Sequence, residues 1–315
     1  MLEEMEALIV GAGASGFLHA LALRSAGVRI SAVYDPERAR AEWLADLTSA
    51  LPLRGLDARS VESADVVAIC SPPAFHVEHA EALARPGRIT FLEKPVACDT
   101  SELARLGRLP GVVPILQWRA GRSAHQLRAA FASSAFGGRP RIACDLRIAR
   151  DDAYWRARDQ AAWPCGALLS IGVHAVDLLL WCVNRPAVRT SFRDSRLGGE
   201  VALAFDDGTI AFVRIRLDAP ARSDVHLRIV GERASAELLA TEEDPTATSL
   251  WWRGIEAPHV TTGATGSPLL VPYLHAALAG SRIGVRDVAA AHALVMSDAL
   301  GAIEHGVEKD VASGF

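Results

Sequence analysis

The sequence predicts an α/β domain with a doubly wound parallel sheet, followed by an α+β domain with an open, mainly antiparallel sheet. In the first third of the chain, short β-branched apolar runs alternate with helical stretches, which is typical of a parallel sheet covered by helices. After about residue 120, helical segments come first and β-rich stretches with hairpin signals follow. The chain has 315 residues, enough for two domains. We therefore expect one domain over residues 1–119 and a second over residues 120–315.

The elements of the first domain follow from hydrophobic periodicity and from turn residues. Each predicted strand is a short apolar run, and two of the three predicted helices end at Gly or at Pro-Gly. Crossover helices of this length connect parallel strands of one sheet. The strands are expected at residues 6–10, 29–34, 66–70, 88–93 and 112–117, and the helices at residues 15–27, 36–48 and 75–87.

The second domain has a different pattern. A long apolar segment, GALLSIGVHAVDLLLW (166–181), predicts a helix, and EVALAFDDGTIAFVRIRL (200–217) predicts a hairpin that turns at Asp207-Gly208. DVHLRIVG and ASAELLA continue the strand pattern, and SLWWRG predicts a short strand among loops over residues 241–268. The chain is expected to close with helices at about 268–280 and 285–306.

Composition and charge exclude several classes of function. Half of the residues are hydrophobic and the formal net charge is −4, without a Lys/Arg-rich run, so neither nucleic acid nor a membrane surface is an expected partner. The N-terminal segment lacks the features of a signal peptide. Five scattered cysteines without a CxxC pair predict neither disulfides nor a metal site. We expect a cytoplasmic protein that acts on a small molecule.

The segment GAGASG (11–16) is a GxGxxG motif between a predicted strand and a predicted helix. Gly11 permits a tight turn, Gly13 allows the backbone to approach a pyrophosphate, and Gly16 allows close packing of the helix on the strand. Asp35 ends the next strand and is expected to accept hydrogen bonds from the adenosine ribose, which favours NAD. A loop that serves only as a turn is the alternative. The expected cofactor contacts of this region are Gly11, Gly13, Ala14, Ser15, Gly16 and Asp35, and Arg38 and Arg40 leave NADP as an alternative.

Two further motifs follow predicted strands at the edge where open α/β sheets bind ligands. They are SPPAFHVEHA (71–80) and FLEKPV (91–96). A lysine before proline is held outside the helical region, and a cis peptide bond there would fix its direction. For Lys94 the alternative is an ordinary surface lysine. For His76 and His79 the alternative is a histidine at a helix start or on the surface, and this alternative is favoured for His79. The expected cofactor contacts here are Ser71, Pro72, His76, Glu93 and Lys94.

Three polar residues interrupt the apolar helix 166–181. Ser170, His174 and Asp177 are spaced four and three residues apart, which places them on one face of an α-helix. A solvent-facing stripe is the simplest explanation for such a pattern. However, solvent stripes usually contain Lys and Glu, and this one contains neither. These residues alone leave open whether the stripe faces solvent or a substrate.

These motifs, in this order and spacing, resemble the Gfo/Idh/MocA oxidoreductases, the family of glucose-fructose oxidoreductase and inositol dehydrogenase. The resemblance covers essentially the whole chain. It implies an N-terminal Rossmann domain and a C-terminal sheet that carries the substrate site on one side. It also implies hydride transfer between a nicotinamide cofactor and a carbinol of a sugar, inositol or sugar-nucleotide-like substrate. A homodimer or homotetramer through the C-terminal sheet is expected on the same ground.

The resemblance also implies residue roles. Lys94 matches the family lysine that hydrogen-bonds the reacting hydroxyl, His174 matches the histidine that takes its proton, and Asp177 matches an aspartate one helical turn beyond. Ser170 departs from the family pattern, because the family's fuller motif has Asp at that position. A histidine without a neighbouring carboxylate is expected to be a weaker base. Cys165 likewise replaces the first Gly of the usual Gly pair before the helix.

Weaker substrate-site candidates flank these motifs. Tyr154, Trp155 and Arg156 precede the helix as a similar segment does in relatives, although loop packing explains the aromatic residues equally well. Trp118 and Arg119 follow the fifth strand, where the arginine would bind an anionic group of the substrate or form a structural salt bridge. The expected substrate contacts are Lys94, Trp118, Arg119, Tyr154, Ser170 and His174.

Two other functions stay open at this point. Some relatives are NADPH-dependent imine or carbonyl reductases, and cofactor preference distinguishes these from dehydrogenases. The chain could also be a non-catalytic NAD-binding sensor or partner protein that lost its chemistry together with the carboxylate at position 170. In that case His174→Ala would leave every measurable property unchanged.

Overall fold

The computed structural model describes residues 5–56, 61–160, 165–218, 223–241, 249–261, 263 and 269–296. The chain divides into two compact units that we describe separately. Unit 1 comprises Met1–Gln117, Ala157–Pro164 and Leu269–Ala289, and unit 2 comprises Trp118–Arg156, Cys165–Pro268 and Ala290–Phe315. The domain boundary at 119/120 stays a prediction. None of the helices in the described ranges is long and apolar enough to span a bilayer.

A six-stranded, all-parallel sheet forms the centre of unit 1. The strand order is β3-β2-β1-β4-β5-β6, the order of a doubly wound dinucleotide-binding domain. Because helices cover both faces of such a sheet, its central strands are apolar throughout, and β4 and β5 are buried along their whole length. The strands are β1 (Glu6–Val10), β2 (Arg29–Tyr34), β3 (Leu51–Leu53), β4 (Val66–Ile69), β5 (Ile89–Leu92) and β6 (Val112–Pro114).

Helices follow the strands of unit 1. The first, α1 (Ala14–Ser25), buries Gly16, His19, Ala20 and Leu23, whose spacing of three or four residues forms one helical face. Two short helices, α3 (His76–Leu83) and α4 (Thr100–Leu106), follow β4 and β5. The other helices of this unit are α2 (Arg38–Thr48) and α8 (Leu270–Leu278). Two further helices, α6 (Asp152–Gln160) and α9 (Val285–Val295), have residues in both units.

A seven-stranded sheet forms the centre of unit 2. Its order is β13-β12-β11-β7-β10-β9-β8, and every neighbouring pair is antiparallel except β7 with β10. The prediction of an open, mainly antiparallel sheet is therefore confirmed. The strands are β7 (Arg141–Arg147), β8 (Ala187–Asp194), β9 (Gly198–Phe205), β10 (Ile210–Arg216), β11 (Asp224–Val230), β12 (Ser235–Thr241) and β13 (Ser249–Arg253).

The predicted helix 166–181 begins differently from a regular α-helix. Residues Leu168–Gly172 form a π-turn, and the α-helix α7 (Val173–Val183) continues from it. The π-turn contacts β9 and β10, and α7 packs against α5 (Arg122–Ala132). Burial on these sides explains why the segment is apolar.

Most predicted elements of the first domain are present, with three differences. The strand predicted at residues 112–117 is β6, which ends at Pro114, earlier than predicted. Strand β3 and helix α4 are additional. In unit 2, the positive φ of Gly208, +85°, confirms the predicted hairpin turn. Strand β7 lies in a region where the sequence predicts helices. The end of the predicted helix 285–306 lies outside the described residues.

Candidate active site

The glycine loop after β1 forms a tight backbone turn. Gly11 has φ of +98°, and its N–H donates to the Tyr34 carbonyl oxygen at 2.8 Å. A Cβ on Gly11 would lie 2.7 Å from the backbone of Cys70, and a Cβ on Gly16 would lie 1.9 Å from the Gly11 carbonyl oxygen. By contrast, a Cβ on Gly13 would meet no atom within 4 Å. Ala14 and Ser15 start α1 at this point, so their N–H groups lie at a helix N-terminus, where anions bind.

Asp35 lies at the carboxyl end of β2. Its Oδ2 accepts a hydrogen bond from Ala12 N at 2.8 Å, and its Oδ1 accepts one from Glu37 N at 2.8 Å. These bonds fix the carboxylate beside the glycine loop, and each oxygen retains a second lone pair for a ribose hydroxyl. The nearby arginines are paired with neighbours on the surface, Arg38 with Glu42 at 2.5 Å and Arg40 with Glu37 at 2.8 Å.

His76 connects the loops that follow β4 and β5. It is buried, with Nε2 2.8 Å from the Ser71 carbonyl oxygen and Nδ1 2.8 Å from the Pro95 carbonyl oxygen. Burial lowers the pKa of this imidazole, an effect that the two carbonyl oxygens partly offset. The imidazole therefore lies between the backbones of the two loops, and in its neutral form it donates a hydrogen bond to one of these two oxygens. His79 is not a simple surface residue either, since its Nδ1 lies 2.9 Å from Ser71 Oγ.

The segment after β5 carries Glu93 and Lys94. The Lys94-Pro95 peptide bond is cis, as the sequence analysis allowed. His19 on α1 lies fully buried, with Nε2 3.0 Å from Glu93 Oε1, and Lys94 N donates to Glu93 Oε2 at 3.1 Å. Burial alone would raise the pKa of Glu93, but the hydrogen bond and charge of His19, together with Lys94, lower it to about 2. The segment is therefore held through an ionised carboxylate that is partly buried.

This carboxylate should make the protein sensitive to acid. The folded-state pKa of Glu93 lies below its unfolded value of 4.5, so its contribution is fully present above pH 4.5 and is lost as pH falls toward about 2. Between pH 7 and pH 3.5 we expect a loss of about 1 kcal/mol from this group. Urea unfolding of wild type and Glu93→Gln at both pH values measures it. An equal acid sensitivity of the two proteins would contradict the assignment.

In unit 2, all three polar residues of the predicted stripe are buried. Ser170, His174 and Asp177 are 1%, 4% and 1% exposed. The Ser170 hydroxyl donates to the Ala167 carbonyl oxygen at 3.2 Å, inside the π-turn. Sequence reasoning missed Asp194, which accepts from Leu168 N at 3.0 Å and anchors the N-terminal end of the segment from β8. Burial raises the pKa of Asp194. The solvent-stripe interpretation is wrong for these three residues.

Trp118 and Arg119 meet two of these residues from the turn Gln117–Ala120. The indole of Trp118 stacks on the His174 imidazole, with ring centroids 5.3 Å apart and planes 14° apart. Arg119 forms a two-point ion pair with Asp177, with Nε 2.7 Å from Oδ2 and a second hydrogen bond from Nη2 to Oδ1. Burial raises the pKa of the Asp177 carboxyl, and the Arg119 guanidinium opposes this. The salt-bridge alternative for Arg119 is therefore the one observed.

The aromatic segment before the helix lies partly buried in the same unit. The Tyr154 and Trp155 rings meet edge to face at 5.2 Å, and Arg150 lies 5.0 Å from the Tyr154 ring centroid. Arg196 lies 4.9 Å from the Trp155 ring centroid, whereas Arg156 is exposed. Within the described ranges, no cluster of three or more His, Cys, Asp or Glu side chains could hold a metal ion. All five cysteines are free thiols.

Two family models match the chain. Residues 5–110 match the NAD-binding Rossmann domain of the Gfo/Idh/MocA oxidoreductase family, and residues 124–237 match a C-terminal domain of that family. The chain belongs to the Gfo/Idh/MocA oxidoreductase family. Unit 1 is thus an NAD-binding Rossmann domain, and this family member is an oxidoreductase that uses a nicotinamide cofactor.

Individual relatives agree with this membership. The chain is 26% identical over 273 residues to a myo-inositol dehydrogenase of Streptomyces leeuwenhoekii, with 81% of each chain covered. It is 35% identical over 97 residues to an inositol 2-dehydrogenase of Rhizobium meliloti, covering 30% of this chain and 29% of that protein. Among solved structures, WlbA dehydrogenase from Bordetella pertussis, in complex with NADH and UDP-GlcNAcA, has a TM-score of 0.73 at 20% identity, with 93% of this chain and 94% of that chain covered. This likeness confirms the fold of the Gfo/Idh/MocA member.

Proposed function

We propose that this Gfo/Idh/MocA oxidoreductase oxidises a carbinol of a sugar, inositol or sugar-nucleotide-like substrate with NAD. The main support is the buried polar set on α7, because a histidine that is 4% exposed within an apolar helix needs a reason to be there. The relatives named above, two of which are inositol dehydrogenases and one of which was crystallised with a nucleotide sugar acid, suggest the substrate class.

The chain's own residues would have the following roles in the reaction. Lys94 donates a hydrogen bond to the reacting hydroxyl, and His174 accepts the hydroxyl proton, since imidazole is suited to accepting protons near neutral pH. Bound NAD would supply the hydride acceptor. Asp177 acts in support through its pair with Arg119. Of the other expected substrate contacts, Tyr154 and Ser170 remain proposed contacts.

The proposed cofactor contacts surround the glycine loop. The N-terminal turn of α1 suits the pyrophosphate because its N–H groups are directed to one point. Asp35 favours NAD over NADP, since its carboxylate repels a 2′-phosphate. The pairing of Arg38 and Arg40 with glutamates weakens their attraction for that phosphate, although exposed pairs are easily broken. The full set is Gly11, Gly13, Ala14, Ser15, Gly16, Asp35, Ser71, Pro72, His76, Glu93 and Lys94.

We also propose a cytoplasmic location and a homodimer or homotetramer assembled through the outer face of the seven-stranded sheet. The five free thiols support a reducing compartment. A row of alternating charges crosses the face, where Arg193, Glu200 and Arg214 pair in sequence. Trp251 and Leu239 are exposed on the same sheet, at 54% and 41%. Such a face offers both complementary charge and apolar area to a second copy.

The function is tested by formation of NADH from NAD, and separately of NADPH from NADP, with a panel of inositols, sugars and sugar nucleotides. We expect turnover with at least one compound, and a decrease in kcat of about 100- to 10,000-fold in His174→Ala with unchanged NAD affinity. The exposed His259 provides a control, because His259→Ala should retain full activity. NAD binding without turnover across the panel would contradict the proposal and favour a non-catalytic protein. Turnover only with NADPH and an imine or carbonyl compound would favour the reductase.

A further inference from the structure

We propose that Trp118 is a positioning residue for His174: its indole fixes the plane of the imidazole and stabilises the imidazolium that forms when the ring takes a proton. The proposal rests on the proposed function, in which His174 is the base. It replaces the expectation that Trp118 contacts the substrate. The position four residues before His174, where the family pattern has Asp, holds Ser170, whose hydroxyl donates to the Ala167 carbonyl oxygen.

The geometry of the two rings supports this role. Their centroids are 5.3 Å apart and their planes nearly parallel, at 14°. A neutral imidazole gains packing energy from this arrangement, and an imidazolium gains more, because a cation near the indole face is attracted by the ring quadrupole. Tryptophan is the best residue for this purpose, and the attraction increases as the pair is removed from water. His174 is 4% exposed, so the imidazole is largely desolvated, and Trp118 is half-buried.

The ion pair between Arg119 and Asp177 restrains the position of the Trp118 indole. Arg119 follows Trp118 directly and pairs with Asp177, which lies one helical turn beyond His174 on α7. Two adjacent residues of one turn therefore contact two residues on successive turns of one helix. Both carboxylate oxygens of Asp177 receive hydrogen bonds from Arg119, so Asp177 holds the turn in register.

Other ionisable groups meet α7 and must be separated from the effect of Trp118. From α5, His125 contacts the Trp181 ring at 5.2 Å and Arg128 lies 4.4 Å from its centroid. On α7 itself, burial raises the pKa of the Cys182 thiol to about 12, so it stays protonated. From β8, Asp194 bonds the backbone at Leu168. The inward side chains of β10 are apolar, namely Ala211, Val213 and Ile215. Substitution of Trp118 leaves all these groups in place.

The test is an NMR titration of histidine ring protons in labelled protein, in which His174→Gln identifies the His174 signal. We expect Trp118→Leu, which retains apolar burial, to lower the titration midpoint of His174 by about one pH unit and to remove the ring-current shift of its signal. Trp118→Phe, which retains a smaller aromatic face, should restore about half of the midpoint shift. An unchanged or raised midpoint in a folded Trp118→Leu protein would overturn the proposal.

A matched control uses the other histidine and tryptophan pair of unit 2. Trp181→Leu should alter the His125 signal and leave the His174 midpoint within about 0.2 pH units. An equal shift of His174 in this variant would overturn a specific role for Trp118. The titration needs no substrate, so its outcome is separate from that of the NADH assay. Where turnover is measurable, the acidic limb of the kcat/KM profile should move with the titration midpoint.

Discussion

Gly16→Ala is expected to weaken NAD binding strongly and to destabilise the protein. A Cβ at this position would lie 1.9 Å from the Gly11 carbonyl oxygen, a backbone atom that cannot move without opening the turn after β1. Overpacking of this kind typically costs about 1–3 kcal/mol, and a backbone clash belongs at the upper end. Because the turn directs the N–H groups of α1, its displacement should raise the Kd for NAD by about 100-fold or more, which corresponds to about 2.7 kcal/mol.

Gly13→Ala separates binding from stability. A Cβ on Gly13 would meet nothing within 4 Å, and the residue has an ordinary φ of −79°. We expect the free energy of unfolding to stay within about 1 kcal/mol of the wild type, because Gly and Ala differ by that amount or less in helices. The added methyl group would occupy space that the pyrophosphate is expected to need, so NAD affinity should still fall. Thermal unfolding and calorimetric NAD titration measure both properties, with Gly55→Ala as a control for the change of residue alone.

The same measurements test Gly16→Ala. Wild-type NAD affinity in Gly16→Ala would show that the loop does not bind the cofactor.

The parallel sheet of unit 1 could be predicted because its strands are continuous apolar runs. Strands such as Val66–Ile69 are buried on both faces, so every position must be apolar and the pattern stands out. The three-residue strand β3 offers too little sequence for such a pattern. Helix α4 had an available signal, since Asp99 accepts from Glu102 N at 2.8 Å and Glu102 accepts from Cys98 N at 2.8 Å. The first of these bonds is the N-cap half of a capping box, whereas the second goes to the residue before the N-cap. The pattern Asp-x-x-Glu is visible in the sequence.

The sheet of unit 2 was harder to predict where its outer face carries charge. Strand β7 reads RIACDLR, with Ile142, Cys144 and Leu146 buried and charged or small residues between them. Only three alternations are present, and the flanking segments are helical, so the local pattern favours a helical region. Its place in the sheet depends on pairing with β10 and β11, whose residues lie about seventy to ninety positions later in the chain.

In the candidate site, too, contacts between residues distant in sequence could not be predicted. The sequence identified His174 and Asp177, because polar residues in an apolar helix are conspicuous. It also identified Trp118 and Arg119, but it offered a substrate contact and a salt bridge for the arginine with equal weight. The pairing with Asp177 joins residues 58 positions apart and cannot be derived from local pattern. The π-turn at Leu168–Gly172 depends in the same way on neighbours distant in sequence, since Asp194 anchors its N-terminal end.

Arg119→Met is expected to destabilise the protein by about 3–5 kcal/mol at neutral pH, because it leaves the Asp177 carboxylate buried without its counterion. Asp177 is 1% exposed and the Arg119 side chain 11% exposed, so solvent can replace little of the lost interaction. Without the guanidinium, the pKa of Asp177 should rise further, since burial already raises it. A carboxyl group whose pKa is higher in the folded than in the unfolded state destabilises the folded protein at pH values above both pKa values. The deficit of the variant should therefore decrease as pH falls and the carboxyl takes a proton.

Two comparisons make this expectation specific. Arg105 and Glu81 form an ion pair with similar two-point geometry, at 2.9 and 2.6 Å, but on the surface, and Arg105→Met should change the midpoint of thermal unfolding far less. The double variant Arg119→Met with Asp177→Leu removes both charges, so it should recover most of the stability lost in the single variant. Thermal unfolding of these proteins at neutral and mildly acidic pH distinguishes the cases. Equal losses in the single and double variants would mean that packing of the arginine stem, and not its charge, holds the turn on α7. Recovery in the double variant would show that the buried charge pair holds the turn in place, and with it the indole of Trp118 over His174.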